Sequence, residues 1–86
     1  MDLKKAKSMV DEILSLCSKL EYEELSTACN GIYNDLQVCK TIHSVISCAR
    51  ELMVFSADAP WDEETYELHD EVEIIFNQLL DDTEEY

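Results

Sequence analysis

Glycine and proline are nearly absent from this sequence, which has one of each among its 86 residues. A β-rich fold needs many tight turns, and these two residues build most of them, so their scarcity argues against such a fold. Hydrophobic residues nevertheless make up 47% of the chain, which is enough apolar surface to offset the entropy lost on folding. We therefore expect residues 1–86 to form a single helical domain.

Long hydrophobic runs are missing as well. The longest uninterrupted run covers residues 52–55, whereas a membrane-spanning helix needs about 20 apolar residues. The first residues also lack the basic segment followed by an apolar stretch that is typical of a secretory signal. These absences predict a soluble, cytoplasmic protein with no membrane partner.

Lysine and arginine do not occur in residues 51–86, which hold thirteen acidic residues. All six basic residues lie in residues 1–50, together with seven acidic ones. Direct binding to nucleic acid or to an anionic membrane is therefore not expected, because both are recognised through Lys and Arg. Two interpretations remain open. The charge either keeps a small protein soluble or forms a negative field directed at a basic partner.

The four cysteines form no C-x-x-C pair, and each lies within or beside an apolar helical pattern (Cys17, Cys29, Cys39 and Cys48). Such cysteines behave as small hydrophobic residues, so we expect reduced, buried thiols. Cys39 and His43 are placed four residues apart on one helix face, but two ligands do not make a metal site. The sequence predicts neither a metal nor a cofactor.

Apolar residues recur with the helical period in four segments. The first runs from about residue 3 to residue 19. The second begins near Glu21, and Gly31 is expected to weaken it or end it early. Asn34 and Asp35 are candidate caps for a third helix carrying residues 38–53, and the fourth covers residues 68–80. Short links between the first three helices predict an all-α fold, a compact antiparallel four-helix bundle.

An acidic loop, residues 56–65, connects the third and fourth segments and contains the only proline and the only tryptophan. Pro60 disfavours a helical conformation at the preceding residue, so the chain must leave the helix there. Trp61 is open to two interpretations, packing against the core or anchoring a partner. Residues 81–86 are expected to form a frayed acidic tail. The candidate partner-binding residues lie in this loop and in the helix after it: Asp58, Trp61, Asp62, Glu63, Glu64, Glu67, Asp70 and Glu71.

No arrangement of residues in the sequence indicates catalysis. His43 and His69 have no Ser or Cys nucleophile placed beside them by a known motif, and there is no glycine-rich phosphate loop. The paired carboxylates Glu63–Glu64 and Asp81–Asp82 have the chemistry to bind a divalent ion, but acidic runs of this kind are usually solvated. We expect a binding protein rather than an enzyme.

Several short motifs resemble the colicin D immunity protein family. They are Ser18-Lys19-Leu20 followed by Glu24-Leu25-Ser26, then Cys48-Ala49-Arg50-Glu51-Leu52-Met53, then Tyr66-Glu67-Leu68-His69-Asp70 and Val72-Glu73-Ile74-Ile75. They occur in the family's order over residues 13–80, with an acidic, proline-containing loop between the second and the third. The sequence departs from the family at Glu21, where a threonine is common, and in the length of the acidic loop.

The resemblance implies a helical immunity protein that covers the active site of a basic, tRNA-cleaving nuclease toxin and imitates its negatively charged substrate. Related proteins accompany toxins of contact-dependent inhibition systems. The implied state is a monomer in a 1:1 complex with the toxin domain. Two alternatives remain: a phage-type acidic protein that mimics DNA or inhibits a host defence nuclease, and a generic acidic adaptor or component of a larger complex. A DNA mimic spreads its carboxylates along an elongated surface, whereas the negative charge here is concentrated in residues 51–86.

Overall fold

The computed structural model describes residues 2–83 and contains four helices: α1 (Leu3–Ser18), α2 (Glu23–Gln37), α3 (Ile42–Ala57) and α4 (Tyr66–Thr83). They pack into a compact bundle with a radius of gyration of 12.1 Å. Connections of four residues join α1 to α2 and α2 to α3, and a longer connection, residues 58–65, leads to α4. The predicted fold class, an all-α four-helix bundle, is confirmed.

Helix α1 begins after Asp2, whose carboxylate accepts a hydrogen bond from the Lys5 N–H at 2.7 Å.

The end of α1 and the start of α2 are set by a turn in the backbone. After α1, Glu21 adopts a left-handed conformation with φ of 57°, a conformation that is costly for a residue with a Cβ. Because a left-handed residue cannot be part of a right-handed helix, α2 begins at Glu23, two residues later than predicted.

The predicted boundary between the second and third helices is wrong. Gly31, Asn34 and Asp35 all lie inside α2, because its buried residues continue with the helical period past the glycine (Leu25, Cys29, Ile32 and Leu36). A helical glycine costs only about 1 kcal/mol relative to alanine, so this packing outweighs it.

The third helix begins at Ile42 and is capped by Thr41, whose hydroxyl accepts a hydrogen bond from the Ser44 N–H at 3.1 Å. Val38, predicted to lie on the apolar face of this helix, follows the end of α2 and is 72% exposed. Cys39 lies in the α2–α3 connection rather than on a helix.

Helix α1 is the central element of the bundle, because it packs extensively against each of the other three helices, whereas α3 meets α4 over a smaller contact. Helix α4 packs chiefly against α1 and to a lesser extent against α3. Its fully buried residues are Val72 and Leu79, whereas α1 buries six residues. Leu68, Ile75, Phe76 and Leu80 also pack against the core while partly buried, so α4 is held by one apolar face that solvent partly reaches.

Helix α4 continues to Thr83, where the Thr83 hydroxyl donates a hydrogen bond to the Leu79 carbonyl at 2.8 Å. Residues 81–83, predicted as the start of a frayed tail, are therefore helical, and residues 84–86 lie outside the described residues. None of the helices in residues 2–83 combines the length and the apolar character needed to cross a membrane.

Candidate functional site

The α3–α4 connection is held against the bundle at its first half. The Asp58 N–H donates to the Phe55 carbonyl at 3.3 Å and the Ala59 N–H donates to the Ser56 carbonyl at 3.2 Å, which closes the end of α3. Asp58 itself is exposed. The acidic residues that follow therefore extend from an ordered turn.

Trp61 is half-buried and packs against the hydrophobic core. Its indole N–H donates a hydrogen bond to the Ser56 carbonyl at 2.7 Å, and its ring meets the His69 ring edge-on with centroids 5.1 Å apart. The core-packing interpretation thus accounts for its position. Only the solvent-exposed part of the Trp61 side chain is available for contact with a partner.

Asp62 builds the turn that leads into α4. One oxygen of its carboxylate accepts hydrogen bonds from the Glu64 N–H at 3.0 Å and from the Thr65 N–H and hydroxyl, both at 3.1 Å. In return, the Thr65 hydroxyl accepts a hydrogen bond from the Asp62 N–H at 2.9 Å. Asp62 therefore has a structural role that sequence reasoning, which assigned it to the partner, did not identify.

The remaining predicted acids are exposed, and we call them the acidic surface: Asp58, Glu63, Glu64, Glu67, Asp70 and Glu71. Glu67, Asp70 and Glu71 are spaced three and four residues apart, so they share one face of α4. The buried Val72 and Leu79 lie on the opposite face. No Lys or Arg in residues 51–86 is available to neutralise these carboxylates.

His69 lies beside the acidic surface in a small aromatic cluster. Its ring meets Tyr66 edge-on with centroids 6.1 Å apart, in addition to its contact with Trp61. His69 Nε2 is 3.4 Å from the Glu73 carboxylate, one turn further along α4. These contacts fix the start of α4 relative to the connection before it.

Sequence reasoning missed Ile74 as a surface residue. Its side chain is 64% exposed, and it follows Asp70 and Glu71 by four and three residues on the outer face of α4. The pair Ile74-Ile75 gave only a weak signal. Consecutive helical residues point about 100° apart, and a broad apolar face can bury both, as it does Ile13 and Leu14 in α1. The acidic surface therefore has an apolar residue at its edge.

Two open grooves of about 280 Å³ each lie between α1 and α2, away from the acidic surface. Lys4, Lys7, Tyr33 and Gln37 are among the residues that line the first, and the Lys7 ammonium donates a hydrogen bond to the Gln37 carbonyl at 3.4 Å. Neither groove includes a residue of the acidic surface. Within residues 2–83, no three His, Cys, Asp or Glu side chains are grouped so that they could hold a metal ion.

Ser56 is a buried polar residue beneath the connection. Its side chain is 1% exposed, and its hydroxyl has no hydrogen-bond partner among the described residues. Cys29 and burial raise the pKa of the Cys17 thiol, and Ser56 lies close enough to oppose part of that rise, but a thiol is only a weak hydrogen-bonding group. The hydroxyl is therefore a local cost to stability.

We expect Ser56→Ala to increase the free energy of unfolding by about 1 kcal/mol, because it removes a buried hydroxyl that lacks a good partner. Urea denaturation monitored by circular dichroism measures the change. Ser47→Ala, at an exposed position of the same helix, is the matched control and should stay within about 0.5 kcal/mol of the parent. A destabilised Ser56→Ala variant would mean that the hydroxyl makes a strong bond.

The fold and the acidic surface describe a small all-helical protein whose exposed carboxylates are concentrated where a loop enters a helix. No family model, no curated protein and no solved structure matches this chain. The resemblance to the colicin D immunity protein family therefore stays a prediction.

Proposed function

We propose that this protein is an immunity protein that binds the basic active site of a nuclease toxin, of the tRNA-cleaving type, and blocks it. The observation that carries the proposal is the acidic surface. Six exposed carboxylates extend from one ordered connection and the first turns of one helix, in a segment without Lys or Arg. Unneutralised charge of this kind opposes compact folding by self-repulsion, so a binding role explains why it is concentrated there.

The chemistry of the proposed partner fits this charge. A nuclease that cleaves RNA holds the phosphates of its substrate with Lys and Arg. Carboxylates on a rigid surface occupy the same positions and exclude the substrate. Opposite potentials on the two proteins also accelerate their association, which is an advantage for an inhibitor that must act before the toxin cuts.

The local structure supports direct contact rather than distant attraction alone. Asp62 and Thr65 fix the connection through reciprocal hydrogen bonds, so the backbone that carries Glu63 and Glu64 is ordered before binding. Ile74 and the exposed part of Trp61 add apolar area beside the charges. Interfaces of this kind combine a few apolar anchors with a polar surround.

A DNA mimic is the less favoured alternative. Such a protein presents carboxylates in rows over much of its surface, whereas residues 1–50 have nearly equal numbers of acids and bases. Lys4 and Lys7 also line the first α1–α2 groove, where a mimic of DNA would present negative charge.

Capture from an extract of the native host tests the proposal. We expect the tagged protein to recover a basic nuclease domain at a 1:1 ratio, and the purified domain to cleave tRNA until one equivalent of this protein is added. A gene for that domain immediately upstream would agree with a toxin–immunity pair. Recovery of a partner without nuclease activity, or of a nuclease that stays active in the complex, would contradict the proposal.

A further inference from the structure

Two of the four cysteines lie close together where the α2–α3 connection packs against α3. The Sγ atoms of Cys39, in the α2–α3 connection, and Cys48, on α3, are 3.7 Å apart. Cys39 is half-buried, and its thiol also lies 3.3 Å from the Asp35 carbonyl, to which it donates a hydrogen bond. Cys48 is 8% exposed. Both are free thiols.

We propose that Cys39 and Cys48 form a site of reversible oxidation, at which a small-molecule disulfide of the glutathione type converts the two thiols into an intramolecular disulfide. The proposal is independent of the proposed function. It rests on the separation of the two sulfur atoms and on the access of solvent to one of them.

The geometry requires only a small displacement. A disulfide has its sulfur atoms about 2.05 Å apart, so the Sγ atoms must approach each other by less than 2 Å from their separation of 3.7 Å. Cys39 lies in a non-helical connection, where backbone and side-chain rotations meet less resistance than inside a helix. Cys48 stays on α3 while Cys39 moves toward it.

The difference in exposure between Cys39 and Cys48 determines which thiol reacts first. The Cys39 thiolate attacks one sulfur of the small disulfide, which breaks that disulfide, forms a mixed disulfide on Cys39 and releases one small thiol. The Cys48 thiolate then attacks Cys39 Sγ, which forms the intramolecular bond and releases the second small thiol. Two protein thiols lose two electrons and two protons, and the small disulfide gains them as two thiols.

The electrostatics of Cys48 explain why this thiol does not react first. Burial raises the pKa of Cys48 to about 12, and its contact with Cys39 and the negative charges of Asp35 and Glu51 contribute to the rise. When Cys39 is held in the mixed disulfide, it no longer carries a charge or a proton to share. The pKa of Cys48 then loses the contribution of Cys39 but stays above its ordinary value, because burial, Asp35 and Glu51 still act on it.

The other two cysteines provide an internal comparison. Cys17 and Cys29 are buried in the core, 0% and 4% exposed, and they interact closely enough that Cys29 raises the pKa of the Cys17 thiol while Cys17 lowers that of Cys29. A small disulfide reaches them only when the bundle opens. Oxidation should therefore be selective for Cys39 and Cys48.

The disulfide would tie the α2–α3 connection to α3, and no residue of the acidic surface lies on either of these elements. Cys48 precedes the end of α3 at Ala57 by about 14 Å along the helix axis. Oxidation should thus stabilise the bundle without changing partner binding. Failure of one proposal leaves the other intact.

The test is to incubate the reduced full chain with glutathione disulfide and follow the intact mass, the number of free thiols and the peptide map. We expect the mass to fall by two hydrogens, two of the four thiols to disappear, and the map to show a Cys39–Cys48 link, at a rate at least about tenfold above any reaction of Cys17 or Cys29. The melting temperature should rise by on the order of 10 °C, and dithiothreitol should reverse both changes.

Two variants separate the steps. Cys48→Ser should accumulate the glutathione adduct on Cys39, and Cys39→Ser should lose no thiols at the same oxidant concentration. The map of the parent protein decides the matter even where a variant fails to fold. A persistent glutathione adduct on parent Cys39, a dimer linked through Cys39, a first link between Cys17 and Cys29, or no reaction would each overturn the proposal.

Discussion

A triple variant in which Glu63, Glu64 and Glu67 are each replaced by Lys is expected to bind the nuclease domain at least about a hundredfold more weakly, a loss of about 2.7 kcal/mol. Close charge pairs across protein interfaces couple by about 1.5–7 kcal/mol, so three reversed charges are sufficient for this loss. Asp62 is left unchanged because its carboxylate holds the turn before α4. Surface plasmon resonance at several salt concentrations measures both the affinity and the association rate.

The matched control replaces Asp11, Glu12 and Asp35 with Lys, at exposed positions of α1 and α2. Both triple variants change the net charge by the same amount, because each substitution exchanges one negative charge for one positive charge. We expect the control to lower affinity by less than about threefold, and the association rate of the first variant to lose most of its salt dependence. Equal losses in the two variants would show that only the overall charge matters, and the acidic surface would not be the binding site.

Leu79→Ala is expected to lower the free energy of unfolding by about 2–5 kcal/mol. Leu79 is 0% exposed and is one of the two fully buried residues of α4. The cavity left by this substitution removes fully buried packing from the face that holds α4 on α1, where most of the other apolar residues are only partly buried. Urea denaturation measures the loss, and the helical signal should begin to fall at a lower urea concentration.

Ile74→Ala is the control for that prediction. It removes an aliphatic side chain of the same size from the same helix, but from a position that is 64% exposed. Its effect on the free energy of unfolding should stay within about 0.5 kcal/mol. Comparable losses from the two substitutions would mean that α4 is held by its outer face and that the described packing is incorrect.

The apolar period was sufficient to predict the number of helices and, to within three residues, the bounds of α1 and α4. The α2–α3 boundary was not predictable from the period alone, because two sets of capping residues compete for it. Asn34 and Asp35 are good caps in isolation, but using them would end α2 before Leu36, which is 1% exposed in the core. The burial of Leu36 decided in favour of Thr41 as the cap.

The candidate site shows a similar division. The exposure of the carboxylates followed from the helical period, since Glu67, Asp70 and Glu71 fall opposite the apolar residues of α4. The structural role of Asp62 depends on a local turn with Thr65, a signal that was present in their spacing. The approach of Cys39 to Cys48 had no such signal, because it depends on how the α2–α3 connection packs against α3.

The central position of α1 has a consequence for a chain that is still being synthesised. The helix that covers one side of α1 is α4, and it is the last of the four to leave the ribosome. A nascent chain that has not reached Tyr66 can bring α1, α2 and α3 together, but it leaves the apolar face of α1 that α4 covers open to water. Closing that face requires contacts between segments separated by 47 residues, which are slow to form. Truncation before α4 would therefore expose the apolar face of α1 that α4 covers and leave an aggregation-prone intermediate.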